Sequence, residues 1–472
     1  MIKKGAEIEV DILELSSEGK GISKLDDGLV IFSEKTLPGD KALIRISKKK
    51  SGYAEATLLE IINPSEFRII PPCVYFGICG GCKIQNYEYS KQIKYKTGVV
   101  RNALERIGGF KDLIVPETTE CTEIFYYRNK MEFSFSDDEW LTEKDSDNVK
   151  QNFALGLHVP KFHSKIVDIR KCFLQSEISG EILNFTREFF KSRNVSVYST
   201  KTQSGFLRFL IIRQSKNTSD LMVNLITYEH DASLMNEFSQ DLKIKFPEIT
   251  TIINSISQRK AQVAVGESEF IMHGPGFIKE DLKTGSGNSY TFKISPQSFF
   301  QTNTLQAQKL FKVLVDFAEL KKEDNILDLY CGTGSISIMI SGLVQTVIGV
   351  ELVEDSIADA RQNAQLNNVT NTEFICSDIK NYLENKNDIS GINKLILDPP
   401  RSGLHPSICE ILSETKFEKI LYVSCNPHTQ ARDLKIICSK NMYSIEKVQP
   451  VDMFPHTYHI ENVVSLKIMN DF

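Results

Sequence analysis

From Gln306 onward this chain alternates apolar strands with helical stretches, and that rhythm limits what it can fold into. Strand-like runs near 325–330, 346–350, 372–376, 394–397 and 419–423 are separated by helix-like segments, after an opening helix that carries Ala307, Leu310, Leu314 and Phe317. Strands joined through helices run parallel and bury both faces of their sheet, so a doubly wound α/β sheet is expected. A final run, 460–466, is expected to close it. In such sheets ligands gather beyond the carboxyl ends of the strands. Three strand-to-loop junctions therefore face one crevice: Asp328-Leu329-Tyr330-Cys331-Gly332-Thr333-Gly334, Asp398-Pro399-Pro400-Arg401-Ser402-Gly403 and Ser424-Cys425-Asn426-Pro427. One of them delivers a cysteine.

The remaining chain is organised differently. At 472 residues it is too long for one core. Residues 1–62 read as short strands parted by turns, the pattern of a small oligonucleotide-binding type of β-barrel. Residues 63–290 read as a central α+β domain, and 291–472 as the α/β domain. Within the central part, Ile93, Val100, Leu104 and Ile107 mark one face of a helix stopped by Gly108-Gly109, and the stretch 85–120 is expected to pack on the C-terminal domain. No apolar run is long enough to cross a bilayer, and the first residues lack the apolar core of a secretion signal. A cytoplasmic monomer is the expectation. The net charge of −5 argues weakly against nucleic acid, although Lys41, Arg45, Lys48, Lys49 and Lys50 form a local basic run. Taken alone, that run reads as a solvated hairpin edge.

The crevice residues point to chemistry. Gly332-Thr333-Gly334 suits a tight turn into a helix, but the sixth position of a dinucleotide fingerprint is Ser337 instead of glycine. Glu351 ends the next strand where a ribose diol would sit, and Asp378 ends the one after, able to accept from an adenine amino group. With Asp398 the crevice is acidic, which suits S-adenosylmethionine, a cation without a pyrophosphate, better than NAD. Cys425 is a candidate nucleophile because it follows an apolar strand on the cofactor side. Cys121, Cys331, Cys376, Cys409 and Cys438 read as buried small hydrophobes. Glu461 alone reads as a strand-end acid, and becomes a candidate base only if its strand returns beside 419–423.

These residues, with Ser-Pro-Gln-Ser-Phe-Phe-Gln-Thr-Asn at 295–303 and His-Ile-Glu-Asn-Val at 459–463, resemble the RNA 5-methyluridine methyltransferases over nearly the whole chain. The resemblance implies a Rossmann-like class I methyltransferase domain, an N-terminal TRAM barrel and an iron–sulfur site. It implies that Cys425 adds to uracil C6 and Glu461 removes the C5 proton. It also implies that Gln301, Tyr330, Glu351 and Asp398 meet S-adenosylmethionine, with Asp398 also near the uracil edge; Gly332 is added from the glycine loop and Asp378 from strand position alone.

The pattern Cys73-x5-Cys79-x2-Cys82 leaves one ligand of a four-thiolate site to find, and Cys172 is the candidate. Chemically, four thiolates suit zinc as well as [4Fe–4S], and the spacing departs from the usual ferredoxin runs. The resemblance tips the choice to [4Fe–4S]. The partner is RNA, with the target uridine unstacked or flipped to reach the crevice. Tyr126-Tyr127-Arg128-Asn129-Lys130 mixes rings and cations and matches a family segment expected to meet RNA. The TRAM-like domain and cysteine cluster favour 23S ribosomal RNA, with uridine 54 of transfer RNA as the alternative. A base-amine methyltransferase is a weaker rival, since Arg401 replaces the aromatic residue that normally follows Asp-Pro-Pro. A metal-stapled RNA-binding protein without activity is a further rival, set against intact cofactor motifs, cysteine and glutamate.

Overall fold

The structure, a computed structural model, describes residues 2–141, 152–285, 287–385 and 389–469. The N-terminal strands, Glu7–Asp11 through Tyr53–Asn63, form one six-stranded sheet wrapped round a core of Val10, Ile31, Ile44, Ile46 and Ala54. The basic strand Lys41–Lys49 is not an edge: it pairs with Glu7–Asp11 on one side and Tyr53–Asn63 on the other. Two of its cations face acids across the ladder, Lys41 with Glu9 and Arg45 with Glu7, while Lys48, Lys49 and Lys50 are exposed.

The helix Tyr89–Ala103 buries Ile93 and Val100, then widens into a π-helical turn over Leu104–Gly108 and ends at Gly109, whose φ of 83° is left-handed. The wider turn rotates Ile107 off the apolar face, so Ile107 is exposed where the 3.6-residue period placed it inside. Val100, Ala103 and Leu104 share a core with Leu395, Leu434 and Leu466 of the C-terminal sheet and its helices. A second, seven-stranded sheet spans Lys130–Ser136 to Ser268–His273, and the helices Glu177–Ser192 and Ala232–Lys245 join its apolar core through Phe189, Phe190 and Phe238. The hairpin Ile278–Lys283/Ser289–Ile294 buries Ile278, Leu282 and Phe292 with Leu310 and Leu314 of helix Thr304–Ala318.

The C-terminal sheet holds seven strands: β1 (Asn325–Leu329), β2 (Thr346–Glu351), β3 (Thr372–Cys376), β4 (Lys394–Leu397), β5 (Lys419–Ser424), β6 (Tyr443–Val451) and β7 (Glu461–Ile468). Their order is β3-β2-β1-β4-β5-β7-β6. The first five are parallel, and β7 then runs antiparallel to β5 and to β6. Strand β6 has no counterpart in the sequence reading. It is an edge strand, only partly covered and interrupted by Pro450, so it shows no continuous apolar run. No helix among the described residues is long and apolar enough to cross a membrane.

Candidate active site

The antiparallel return of β7 decides the site. Its register against β5 pairs Ser424 with Asn462, so Cys425 and Glu461 lie one step beyond that pair on opposite strands. Residues opposed in an antiparallel ladder share a face. Two backbone carbonyls at this junction, those of Tyr422 and Asn462, accept from the Gln430 side-chain amide at 2.8 and 3.2 Å, and Asn462 Nδ2 donates back to Gln430 Oε1 at 2.8 Å. Gln430 belongs to helix Pro427–Ile437, which starts beside Cys425: Asn426 caps it by accepting from His428 N, and Pro427 takes the first helical position, where its missing N–H costs nothing.

Around this pair Glu461 is buried, Asp398 and Cys425 are partly buried, and Arg401 is exposed. Burial, then the neighbouring Asp398, raises the Glu461 carboxyl well above the usual carboxylate range, with Arg401 opposing. Burial and Glu461 push the Cys425 thiol up to about 12, again against Arg401. Asp398, at the end of β4, is pushed up to about 7 by burial and by Asp328. A crevice holding this much acid in low-polarity surroundings favours protonated groups or an incoming cation.

Two strands from β5, the glycine loop is set by backbone geometry. Tyr330 turns at φ 64°, with its N–H and that of Cys331 both bonded to the Val350 carbonyl. Gly332 and Gly334 also have positive φ. A side chain at Gly334 would strike the Phe374 ring at 2.9 Å, whereas one at Gly332 would meet open space. Glu351 holds the loop: Oε2 accepts from Gly332 N at 3.3 Å, and Oε1 accepts from Leu352 N and Val353 N. A cavity of about 450 Å³ beside it is lined by Tyr330, Leu352, Asp378, Ile379, Gly403 and neighbours. One Asp378 oxygen caps the helix Ile379–Glu384 by accepting from Asn381 N. These residues fit an adenosyl group: apolar Leu352 and Ile379 for a ring face, strand-end acids for hydroxyl and amino groups, and an open glycine where a backbone can be approached closely.

Gln301 stands apart from that cavity. Its carbonyl accepts from Asn129 Nδ2 at 2.8 Å, so the segment expected to meet RNA also anchors the 295–303 loop. Among the cysteines read as buried, Cys376 is exposed, because β3 is an edge strand whose last residue faces out; Cys438 is only partly buried, whereas Cys121, Cys331 and Cys409 are buried.

The other four thiols, Cys73, Cys79, Cys82 and Cys172, line one small pocket. Each is raised by burial, Cys79 to about 12. Yet donors point at the sulfurs: Gly81 N lies 3.3 Å from Cys79 Sγ and Gln85 Nε2 3.6 Å from Cys82 Sγ. Backbone N–H groups of Tyr75 and Phe76 serve Cys73, and those of Leu174 and Gln175 serve Cys172. Donors aimed at sulfur, with partly buried thiols and no carboxylate lining the pocket, fit a group bound through thiolates. Among the described residues no three His, Cys, Asp or Glu side chains stand close enough to share one metal ion.

Arg401 and His459, 58 residues apart, form a bond of 2.6 Å at the crevice mouth that sequence reading passed over. So did it pass over Lys96, buried on the helix Tyr89–Ala103 and paired with Asp452 after β6. Neither has a local signal, since each pair joins side chains far apart in the chain.

Known proteins align with this arrangement. A family model described as tRNA (Uracil-5-)-methyltransferase matches residues 221–469, and a TRAM domain model matches residues 3–59. An uncharacterized RNA methyltransferase of Chlorobaculum tepidum is 38% identical over 470 residues, covering 98% of this chain and 96% of its own. Another, of Bacteroides thetaiotaomicron, is 38% identical and is covered completely, against 96% of this chain. The crystal structure of Pyrococcus abyssi tRNA (uracil-54, C5)-methyltransferase in complex with S-adenosyl-L-homocysteine is similar over 97% of this chain and 100% of that one, at 30% identity and a TM-score of 0.74.

Proposed function

Because the chain belongs to the tRNA (uracil-5-)-methyltransferase family, we propose that it methylates C5 of a uridine in RNA, and that this RNA is 23S ribosomal RNA. The observation that carries the reading is the opposition of Cys425 and Glu461 across β5 and β7. When bound, S-adenosylmethionine supplies the methyl group as a sulfonium. The protein supplies the rest. Uracil C5 is a weak nucleophile, so Cys425 adds through sulfur to C6 and moves the ring's electron density to C5. After C5 is methylated, Glu461 takes the C5 proton; the C6–S bond then breaks and Cys425 leaves with its electron pair. A positioned base of this sort contributes roughly 10²–10⁴-fold. The glycine loop, Tyr330, Glu351, Asp378 and Gln301 form the cofactor side of the site, and Asp398 stands between cofactor and uracil edge.

Ribosomal RNA is favoured by the TRAM barrel together with the four-cysteine pocket. The transfer-RNA reading has its own support in the likeness to an enzyme described as acting on uracil-54 of tRNA. Mapping 5-methyluridine in both RNAs from cells with and without the gene separates them. Release of tritium from [5-³H]uridine RNA on adding cofactor tests the chemistry, and a Cys425→Ala protein with normal turnover overturns it.

Cys73, Cys79, Cys82 and Cys172 hold a [4Fe–4S] cluster in this reading, with zinc as the alternative. Four thiols lining one pocket, with N–H donors aimed at their sulfurs, are what supports a thiolate-bound group there. With all positions taken by protein, its role is a staple near the RNA side. Protein prepared without oxygen is expected to carry iron and acid-labile sulfide; a colourless protein carrying zinc reverses this assignment.

A further inference from the structure

Arg401 is tied at both ends. Its carbonyl accepts from Asn426 Nδ2 at 3.1 Å and from Thr429 Oγ1 at 3.3 Å, which fixes the loop after β4 to the residue beside Cys425. Its guanidinium reaches His459 Nδ1, and since arginine can only donate, that nitrogen must be the acceptor and the His459 proton must sit on Nε2. The imidazole is itself packed, with ring contacts to Tyr458 at 4.2 Å and Phe454 at 6.2 Å. Among the described residues no carboxylate lies within 4 Å of the Arg401 nitrogens, and the side chain is exposed at the mouth of the crevice that holds Glu461. A charge left unpaired at such a place has a use.

We propose that Arg401 and His459 are positioning residues: neutral His459 holds the guanidinium at the crevice mouth, where its charge favours the thiolate form of Cys425. Among the described residues, the charged groups that act on Cys425 are Glu461 on β7 and Asp398 and Arg401 on the loop after β4, a single cation against two acids. The groups facing His459 are Arg401, Lys96 and Arg128; burial first, then these cations, lower it to about 4, which keeps the imidazole an acceptor at neutral pH. A protonated His459 would release Arg401.

This rests on the reading of Cys425 as the nucleophile but is tested without RNA. In alkylation by iodoacetamide the Cys425 thiolate forms the S–C bond, iodide leaves, and the thiol proton has passed to buffer. The rate at Cys425, located by mass spectrometry, is followed from neutral to alkaline pH. An opposite charge within about 4–6 Å shifts a thiol by about 1–3 units, and less where solvent screens it, so Arg401→Gln is expected to slow alkylation by up to about tenfold at fixed pH and move its profile upward. Arg401→Lys keeps the charge and is expected to recover most of the rate. His459→Phe keeps the ring packing but offers no acceptor, and is expected to give a smaller loss. Should Arg401→Gln not fold, the His459→Phe profile decides alone, and an unchanged one overturns the proposal. A wild-type profile in Arg401→Gln, or a Lys variant as slow as the Gln variant, overturns it too. Either result leaves the functional reading standing, whereas normal turnover in Cys425→Ala would fail that reading instead.

Discussion

Replacing Lys96 by methionine isolates the contact that joins the helix Tyr89–Ala103 to the connection between β6 and β7. Lys96 is fully buried, with Nζ 2.5 Å from Asp452 Oδ1 and 3.0 Å from the Phe454 carbonyl. Breaking a buried pair from one side costs about 3–5 kcal/mol, because the other charge is left without compensation. Asp452 would keep two donors, Tyr89 Oη at 2.9 Å and Phe454 N at 3.1 Å, so the lower end, about 3 kcal/mol, is expected. For a cooperative unit of about 150–250 residues, each kcal/mol lowers the midpoint by about 2–4 °C, which predicts a fall of about 6–12 °C. The assay is thermal unfolding followed by a probe of the C-terminal sheet. Lys96→Met/Asp452→Asn removes the orphaned charge and is expected to regain much of the loss, giving a coupling between the two positions in a double-mutant cycle. A Lys96→Met midpoint within about 1 °C of the parent would refute the reasoning, since a buried ion pair of this geometry cannot be broken at so small a cost.

Other outcomes follow from the same geometry. Turnover is expected to rise with pH: Glu461 is raised well above its ordinary value and Cys425 to about 12, each works deprotonated, and their active forms therefore gain population as pH increases; a flat pH–rate profile contradicts this. Glu461→Gln is expected to add to uracil and accept the methyl but stall, so gel analysis should show protein joined to RNA while released product falls roughly 10²–10⁴-fold. Gly334→Ala forces a left-handed φ of 78° on alanine and a Cβ 2.9 Å from Phe374, costing about 1–3 kcal/mol, and calorimetry should show weaker S-adenosylhomocysteine binding than in the parent.

Much of the C-terminal sheet was legible because buried parallel strands carry dense apolar runs, as Leu395-Ile396-Leu397 and Ile420-Leu421-Tyr422-Val423 do. Strand β6 was not, because an edge strand needs only intermittent burial. Sequence named Cys425 and Glu461 but left their meeting conditional, since a strand's direction is set by tertiary packing that no local pattern records. Asp378 shows the opposite difficulty. A strand-end acid followed by a helix is also an N-cap, and here one oxygen is occupied by the Asn381 N–H. Arg401–His459 and Lys96–Asp452 were invisible for a simpler reason: each joins side chains far apart in the chain, and neither partner alone departs from an ordinary surface or helix residue.

The reversal of β7 also limits how this chain can change length. Sliding that strand by one residue against β5 would turn Glu461 toward the opposite side of the sheet, because neighbouring positions alternate. An added or deleted residue within 462–464 therefore removes the acid from the thiol without touching either one. The same change near the 439–442 connection, ahead of β6, shifts only the outermost strand's lead-in and leaves their meeting intact.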